Sequence, residues 1–205
     1  AQDLWRLAEN VQLLTGARYS RMDWSFGDVE GDTDDVTGSL RGQWQPVENH
    51  NLFAGASKAF RAPNLQNLDG AVDRGSSGQA ATGNPDLEAE TSWTYEAGWK
   101  WRRNQDYFAV SVFNTRIDDL IQRDFSGDGE FTNIEGADLS GFESAWDLEL
   151  AFLTGDSEQR RLALVGSVSL VDATRDIPLE GGGTQKDNIS RANRLYGRIG
   201  LKWEV

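Results

Sequence analysis

From Trp93 to Trp101 the chain alternates strictly. Trp93, Tyr95, Ala97, Trp99 and Trp101 take one side, and Thr94, Glu96, Gly98 and Lys100 take the other. A helix needs apolar residues three and four apart, so this period of two specifies a strand with one apolar and one polar face. The pattern recurs along the chain. Leu195, Ile199, Leu201, Trp203 and Val205 oppose Arg198, Lys202 and Glu204, while Phe142, Trp146, Leu148, Leu150 and Phe152 oppose Glu143, Ala145, Asp147 and Glu149. Val11, Leu13, Thr15, Ala17 and Tyr19 likewise oppose Gln12, Gly16, Arg18 and Ser20, with Leu14 as the exception. Further strands are predicted from Thr37 to Pro46, Leu52 to Arg61, Tyr107 to Ile117 and Leu162 to Val171. Ala1 to Asn10 carries mixed signals and is left unassigned.

The connections are read as alternately long and short. An acidic loop, Gly27 to Asp35, is followed by a turn at Val47–Asn51, a long loop from Ala62 to Thr91 and a tight turn at Arg102–Gln105. A loop with Ser126-Gly127-Asp128-Gly129, a turn at Thr154–Ser157 and a loop with Gly181-Gly182-Gly183 complete the series. Pro63 and Pro85 bound the longest loop, because proline cannot donate to a ladder and belongs at strand ends. No helical periodicity intervenes, so the strands follow one another as antiparallel hairpins, with the long loops on one rim and tight turns on the other. The fold class is all-β: antiparallel up-and-down hairpins, about eight strands.

Such a sheet can face water or lipid, because a soluble sandwich also has one apolar and one polar face. No apolar run approaches the roughly 18 residues of a membrane-spanning helix, which says nothing against a barrel whose strands alternate. Strands of about ten residues, long loops on one rim and Tyr19, Trp93, Trp101 and Trp203 near strand ends favour a transmembrane outer-membrane β-barrel. In that setting Leu195, Ile199 and Trp203 must face outward, since turning the strand over would place Arg198 and Lys202 in lipid at roughly 2–4 kcal/mol each. The net charge of −13 excludes a phosphate-binding, nucleic-acid partner. Cysteine is absent, and the single histidine, His50, is read as a solvated turn residue rather than a metal ligand. The chain begins at Ala1 without a leader and ends at Val205 within a strand, so it is read as a slice of a larger barrel.

Phe60-Arg61-Ala62-Pro63, Asn84-Pro85-Asp86-Leu87, Glu90-Thr91-Ser92 and Tyr95-Glu96-Ala97-Gly98 occur in this order. Phe113 to Ile121, Asn133 and Gly141-Phe142-Glu143 follow. With these motifs the chain, from about Leu14 onward, resembles the barrel of TonB-dependent outer-membrane receptors. The resemblance implies a wide barrel, of about 22 strands with a plugged lumen, that lies in the cell outer membrane against its lipid. It also implies a partner, TonB, reached through a plug domain that this chain does not include, and a final strand beyond Val205. The implied activity is active uptake of a scarce solute such as a ferric siderophore or similar small iron chelate. No cofactor is implied. The interval Asn64 to Gly83 holds neither His nor Tyr, which argues against direct haem ligation from it.

Five residues are candidates for ligand or plug contact: Arg61, Glu96, Glu143, Asp147 and Glu149. Arg61 either touches ligand or plug, or holds the loop base through backbone carbonyls. The four acids are read as facing the lumen, where water, plug or a cationic partner could meet them. Phe125 to Gly129 with Asp124 resembles half a calcium loop but lacks the later bidentate Glu, so no metal site is assigned. Asp34-Asp35 and Asp118-Asp119 have no nucleophile or base beside them, and the chain is read as a non-enzyme. A self-contained small outer-membrane barrel with a structural or adhesive role, and a soluble β-sandwich binding module, stand as the alternatives.

Overall fold

The computed structural model describes residues 1–26, 29–70, 82–123, 129–150, 161–179, 183–189 and 194–204. Ten strands among them form one antiparallel sheet: β1 (Gln2–Ala8), β2 (Val11–Phe26), β3 (Val29–Trp44), β4 (His50–Arg61), β5 (Glu90–Arg103), β6 (Asp106–Arg123), β7 (Phe131–Glu149), β8 (Arg161–Pro178), β9 (Thr184–Asn188) and β10 (Leu195–Glu204). One short helix, α1 (Leu65–Asp69), lies between β4 and β5. Neighbours in sequence are neighbours in the sheet from β1 to β8. β9 and β10 share the far edge of β8, on its upper and lower lengths respectively. No second sheet occurs among the described residues, which removes the sandwich alternative, and the order runs linearly from β1 to β10 without the two edges pairing.

The ladder registers align the apolar residues in rows. One row is Leu13, Gly42, Ala54, Ala97, Val112, Phe142, Leu170 and Leu195. The next is Val11, Trp44, Leu52, Trp99, Val110, Ser144, Val168 and Gly197. The opposite face carries Gln12, Gln43, Phe53, Gly98, Ser111, Glu143, Ser169 and Tyr196 in one row. Trp5, Leu40, Tyr95, Ile199 and Trp203 share the face of these two apolar rows and are exposed although large and apolar, so the hydrophobic surface of this sheet lies on that face, its outside.

The apolar band has a sharp upper limit. On the face that holds Tyr19 and Val36, the next pairs along β2 and β3 are Arg21 with Asp34 and Asp23 with Asp32. Arg116 with Asp138 occupies the same face of β6 and β7, two steps beyond Val112 with Phe142. Arg116 binds Asp138 and Asp176 at 3.0 Å and Asp118 at 3.2 Å, and Lys186 adds a further bond to Asp138. Val11 to Tyr19 makes nine residues of band, within the roughly nine to eleven that a tilted strand needs to cross hydrocarbon.

Several sequence expectations change here. Ala1–Asn10, left unassigned from sequence, contributes β1, which pairs with β2 through a register shift between Arg6 and Ala8. The acidic segment Gly27–Asp35 is no long loop: β2 and β3 pair up to Phe26 with Val29. β6, β7 and β8 likewise run past the band, to Arg123, from Phe131 and to Pro178. The rim with long loops therefore also has a close hairpin, and the other rim has eleven residues, 150–160, between β7 and β8. Beyond the band the outer face turns polar at Arg21, Asp23 and Arg116, so the alternation that marks a strand in sequence weakens while its backbone ladder continues. Phe152, the turn at Thr154–Ser157 and most of the half calcium loop, Asp124 to Asp128, lie outside the described residues.

Candidate functional site

The longest connection leaves β4 at Arg61 and returns at Glu90, and these two residues are directly paired across the ladder. Their side chains form a two-pronged ion pair through Arg61 Nε and Nη2. Glu90 is 7% exposed and also accepts from the backbone N–H of Ile121 at 2.8 Å. Arg61 thus holds the loop base as one of its two readings has it, but the acceptor is a carboxylate on the neighbouring strand rather than a set of carbonyls. A guanidinium fork matches two carboxylate oxygens, which a single carbonyl cannot do.

Past Arg61 the chain tucks inward. Pro63 is fully buried, Ala62 is half-buried, and Asn64 caps α1 in a capping box with Asn67. Gly70 ends the helix in the left-handed region, φ 67°, and its N–H returns to Gln66 O. Gly83 then passes so close that a Cβ would lie 2.3 Å from the carbonyl carbon of Asp69. Asn84 follows. Its N–H donates to Asn67 O, its Nδ2 to Phe131 O, and its Oδ1 accepts from Asp86 N. Leu87 buries against Leu68 and Ile121, with Trp24, Phe26 and Phe131 around them. Asn133, on β7, completes the staple. Its Oδ1 accepts from Glu88 N at 2.9 Å, and its Nδ2 donates to Glu88 O at 3.0 Å and to Asp119 O at 2.7 Å.

The motifs at Phe60–Pro63, Asn84–Leu87, Glu90 and Asn133 therefore converge on one job, seating the two ends of the loop on the rim. Phe60 joins Pro85, Asp86 and Leu87 in lining a recess of about 550 Å³ beside Asp32, Asp34 and Asp35. Asp35 is tied to Lys58 at 2.7 Å.

The polar wall below holds the remaining candidates. Glu96 binds Arg41 at 2.9 Å, and the Arg41 guanidinium lies 4.2 Å from the centre of the Phe53 ring. Lys100 approaches the same ring at 5.0 Å. Phe53 in turn covers Gly98, its ladder partner, where a Cβ would meet the ring at 2.5 Å. Glu143 accepts from Ser169 at 3.5 Å and borders, with Arg41, Glu96 and Lys100, a polar concavity of about 540 Å³.

Asp147 and Glu149 lie lower on the same face. Asp147 is held by Arg161 at 2.7 Å, while Glu149 is exposed, its N–H donating to Asp106 at 2.8 Å. Arg161 is 8% exposed at its side chain and gathers Asp106, Asp147 and Glu204 from three other strands. No pattern in the sequence marks Arg161, Arg41 or Phe53, because each acquires its role through residues distant in the chain.

The wall thus brings Glu96 and Glu143 together at one concavity, places Arg61 at the rim, and leaves Asp147 inside a structural ion-pair hub. His50 is not a solvated turn residue. It is the first residue of β4, its ring stacks on Trp99, and its Nδ1 accepts from Trp99 Nε1 at 3.1 Å. Among the described residues no group of three or more His, Cys, Asp or Glu is arranged to hold a metal ion.

Known proteins share this architecture. The siderophore receptor PirA of Pseudomonas aeruginosa superimposes with a TM-score of 0.61 at 20% identity, over 98% of this chain and 40% of that one. The copper transporter OprC matches at 0.70 and 16% identity, over 100% and 31% of the two chains. The hemophore receptor HasR of Serratia marcescens matches at 0.64 and 15% identity, over 95% and 37%. The chain spans about two fifths or less of the length of these receptors. The family model described as TonB dependent receptor-like, beta-barrel, matches residues 1–205, and the chain belongs to that family.

Proposed function

We propose that residues 1–205 form part of the barrel wall of an outer-membrane receptor that actively imports a scarce solute, such as a ferric siderophore, with energy delivered through TonB to a plug domain outside these residues. The observation that carries this reading is the two-faced wall. An apolar outer band ends sharply at Arg21, Asp34, Arg116 and Asp138, while the inner face holds water-compatible groups such as Glu96, Lys100 and Glu143. The stapled loop at the rim supports it further, because a large loop with fixed ends can present a binding surface to the outside. In this reading Arg61 positions the loop, Glu96, Glu143 and Glu149 face the lumen and the plug, and Asp147 braces the periplasmic rim.

Asn64–Gly83 holds neither His nor Tyr and so supplies no axial haem ligand itself, which in this reading favours a solute captured by other loop contacts, a ferric siderophore among them. Uptake of radiolabelled ferric siderophores by iron-starved cells carrying the full-length gene tests the proposal, in tonB-competent and tonB-deficient backgrounds. Accumulation that requires both the gene and TonB supports it. Accumulation of no chelate above the gene-deleted strain counts against it. A heat-dependent shift in electrophoretic mobility of the outer-membrane fraction reports the barrel and its location separately.

A further inference from the structure

On the apolar face a groove of about 630 Å³ runs over Gly42, Ala54 and Ala97, between Leu13 and Val112 and above Trp44 and Trp99. The first five are consecutive in one ladder row, so the depression is built by side-chain size alone. Nothing in the sheet requires glycine at 42. Its φ is not positive, and a Cβ there would meet no atom nearer than Ala54 O at 3.9 Å. The groove is continuous with the apolar band and deepens it.

Below the groove the same face carries His50, against Trp99, and Arg103, beyond Trp101. Trp99, in the groove wall, donates to His50 Nδ1 at 3.1 Å, which places the ring proton on Nε2 and leaves that N–H to point elsewhere. Arg103 lies on the same face, one ladder step beyond Trp101, and is exposed. The carboxylate opposite it, Asp106, is already engaged by Arg161 at 3.4 Å and by Glu149 N at 2.8 Å. Arg103 has no ion pair among the described residues. The one carboxylate in the adjoining turn, Glu48, is exposed to solvent.

We propose that this groove is a seat for one anionic glycerophospholipid of the periplasmic leaflet. One acyl chain lies over Gly42, Ala54 and Ala97, and the phosphate sits by Arg103 and the His50 Nε2–H. The inference rests on the membrane-barrel reading above, which sets the lower rim at the periplasmic headgroups. The occupant follows from chemistry. An apolar slot on the lipid-facing side admits a hydrocarbon chain, and an unpaired guanidinium on the same face, at the end of the strand, matches a phosphate oxygen pair.

The test uses the full-length receptor in vesicles of phosphatidylethanolamine and phosphatidylglycerol at three to one, extracted gently and weighed by native mass spectrometry. The expected result is one phosphatidylglycerol retained per receptor, and at least a tenfold lower retention in Gly42→Ile, whose side chain fills the open space. Arg103→Gln should lower the preference for phosphatidylglycerol over phosphatidylethanolamine by about tenfold, the loss of one charge-assisted contact. Wild-type receptor that retains phosphatidylglycerol no better than phosphatidylethanolamine, or Gly42→Ile that retains as much as wild type, overturns the seat and leaves ordinary annular lipid. Each protein is checked for a heat-dependent mobility shift, and Ala97→Leu replaces Gly42→Ile if that variant lacks it. A wild type without the shift overturns the barrel reading itself, so the two failures are distinct.

Discussion

Arg61 and Glu90 close the base of the 62–89 loop as directly opposed residues of β4 and β5, with two nitrogens of the guanidinium on the two carboxylate oxygens. Removing the carboxylate strands both Arg61 and the buried N–H of Ile121. Glu90→Ala should therefore cost about 1–3 kcal/mol, and Glu90→Gln less, because the amide oxygen can still serve Ile121. The midpoint of the heat-induced mobility shift of the full-length receptor measures the difference; equal midpoints for Glu90→Ala and wild type would refute it.

Asn133 makes three hydrogen bonds that no other side chain duplicates, two of them to the backbone of Glu88. Asn133→Ala should free the returning end of the loop while leaving the barrel intact. Limited proteolysis of cells bearing the receptor is expected to cut within 62–89 faster, with the heat shift unchanged. Asn133→Asp keeps the acceptor but loses both donations, so it should behave more like Asn133→Ala than like wild type.

Gly98 lies under the Phe53 ring and close to Val110 O, with a would-be Cβ at 2.5 Å from each. Gly98→Ala should destabilise by about 1–3 kcal/mol through overpacking. Adding Phe53→Leu should recover part of this loss but not all, since the clash with the Val110 carbonyl persists. Full recovery in thermal melts would show that the backbone can move aside.

Asp138 is held below the usual carboxylate range, chiefly by its bond to Lys186 and next by the charge of Arg116. A depressed folded-state value stabilises above the unfolded value, near 3.9, and that stability is lost as pH falls through the folded value. Backbone hydrogen exchange in β9 should accelerate as pH is lowered below about 4, after correction for intrinsic rates. Asp138→Asn should give a β9 already fast at neutral pH, with no further acid step of this origin.

Ser111 and Val112 are adjacent on β6 but face opposite ways. Val112 is 54% exposed on the apolar face, and Ser111 borders the polar concavity. Val112→Arg should lower folding stability in lipid vesicles by roughly 2–4 kcal/mol more than Ser111→Arg. Equal costs at the two positions would contradict a lipid-facing band.

The sequence by itself determined which residues share a face. Trp93 to Trp101, Phe142 to Glu149 and Leu195 to Glu204 alternate in the chain as they do in the sheet, because side-chain direction in a strand depends only on position parity. The motifs bounding the long loop were also legible, since Pro63, Asn84-Pro85 and Glu90 carry local turn and cap chemistry. Tertiary structure alone decided where strands stop. β1, β9 and the pairing of β2 with β3 beyond Tyr19 and Val36 follow from ladder partners that lie elsewhere in the chain, and backbone pairing leaves no mark on residue type.

It decided the partners as well. Arg61 meets Glu90, Arg41 meets Glu96 above Phe53, and Arg161 meets Asp106, Asp147 and Glu204, at sequence separations of up to 55. Such contacts depend on the register between strands. Register is a property of the assembled sheet, set by all the hairpins together, and no single stretch of the chain contains it.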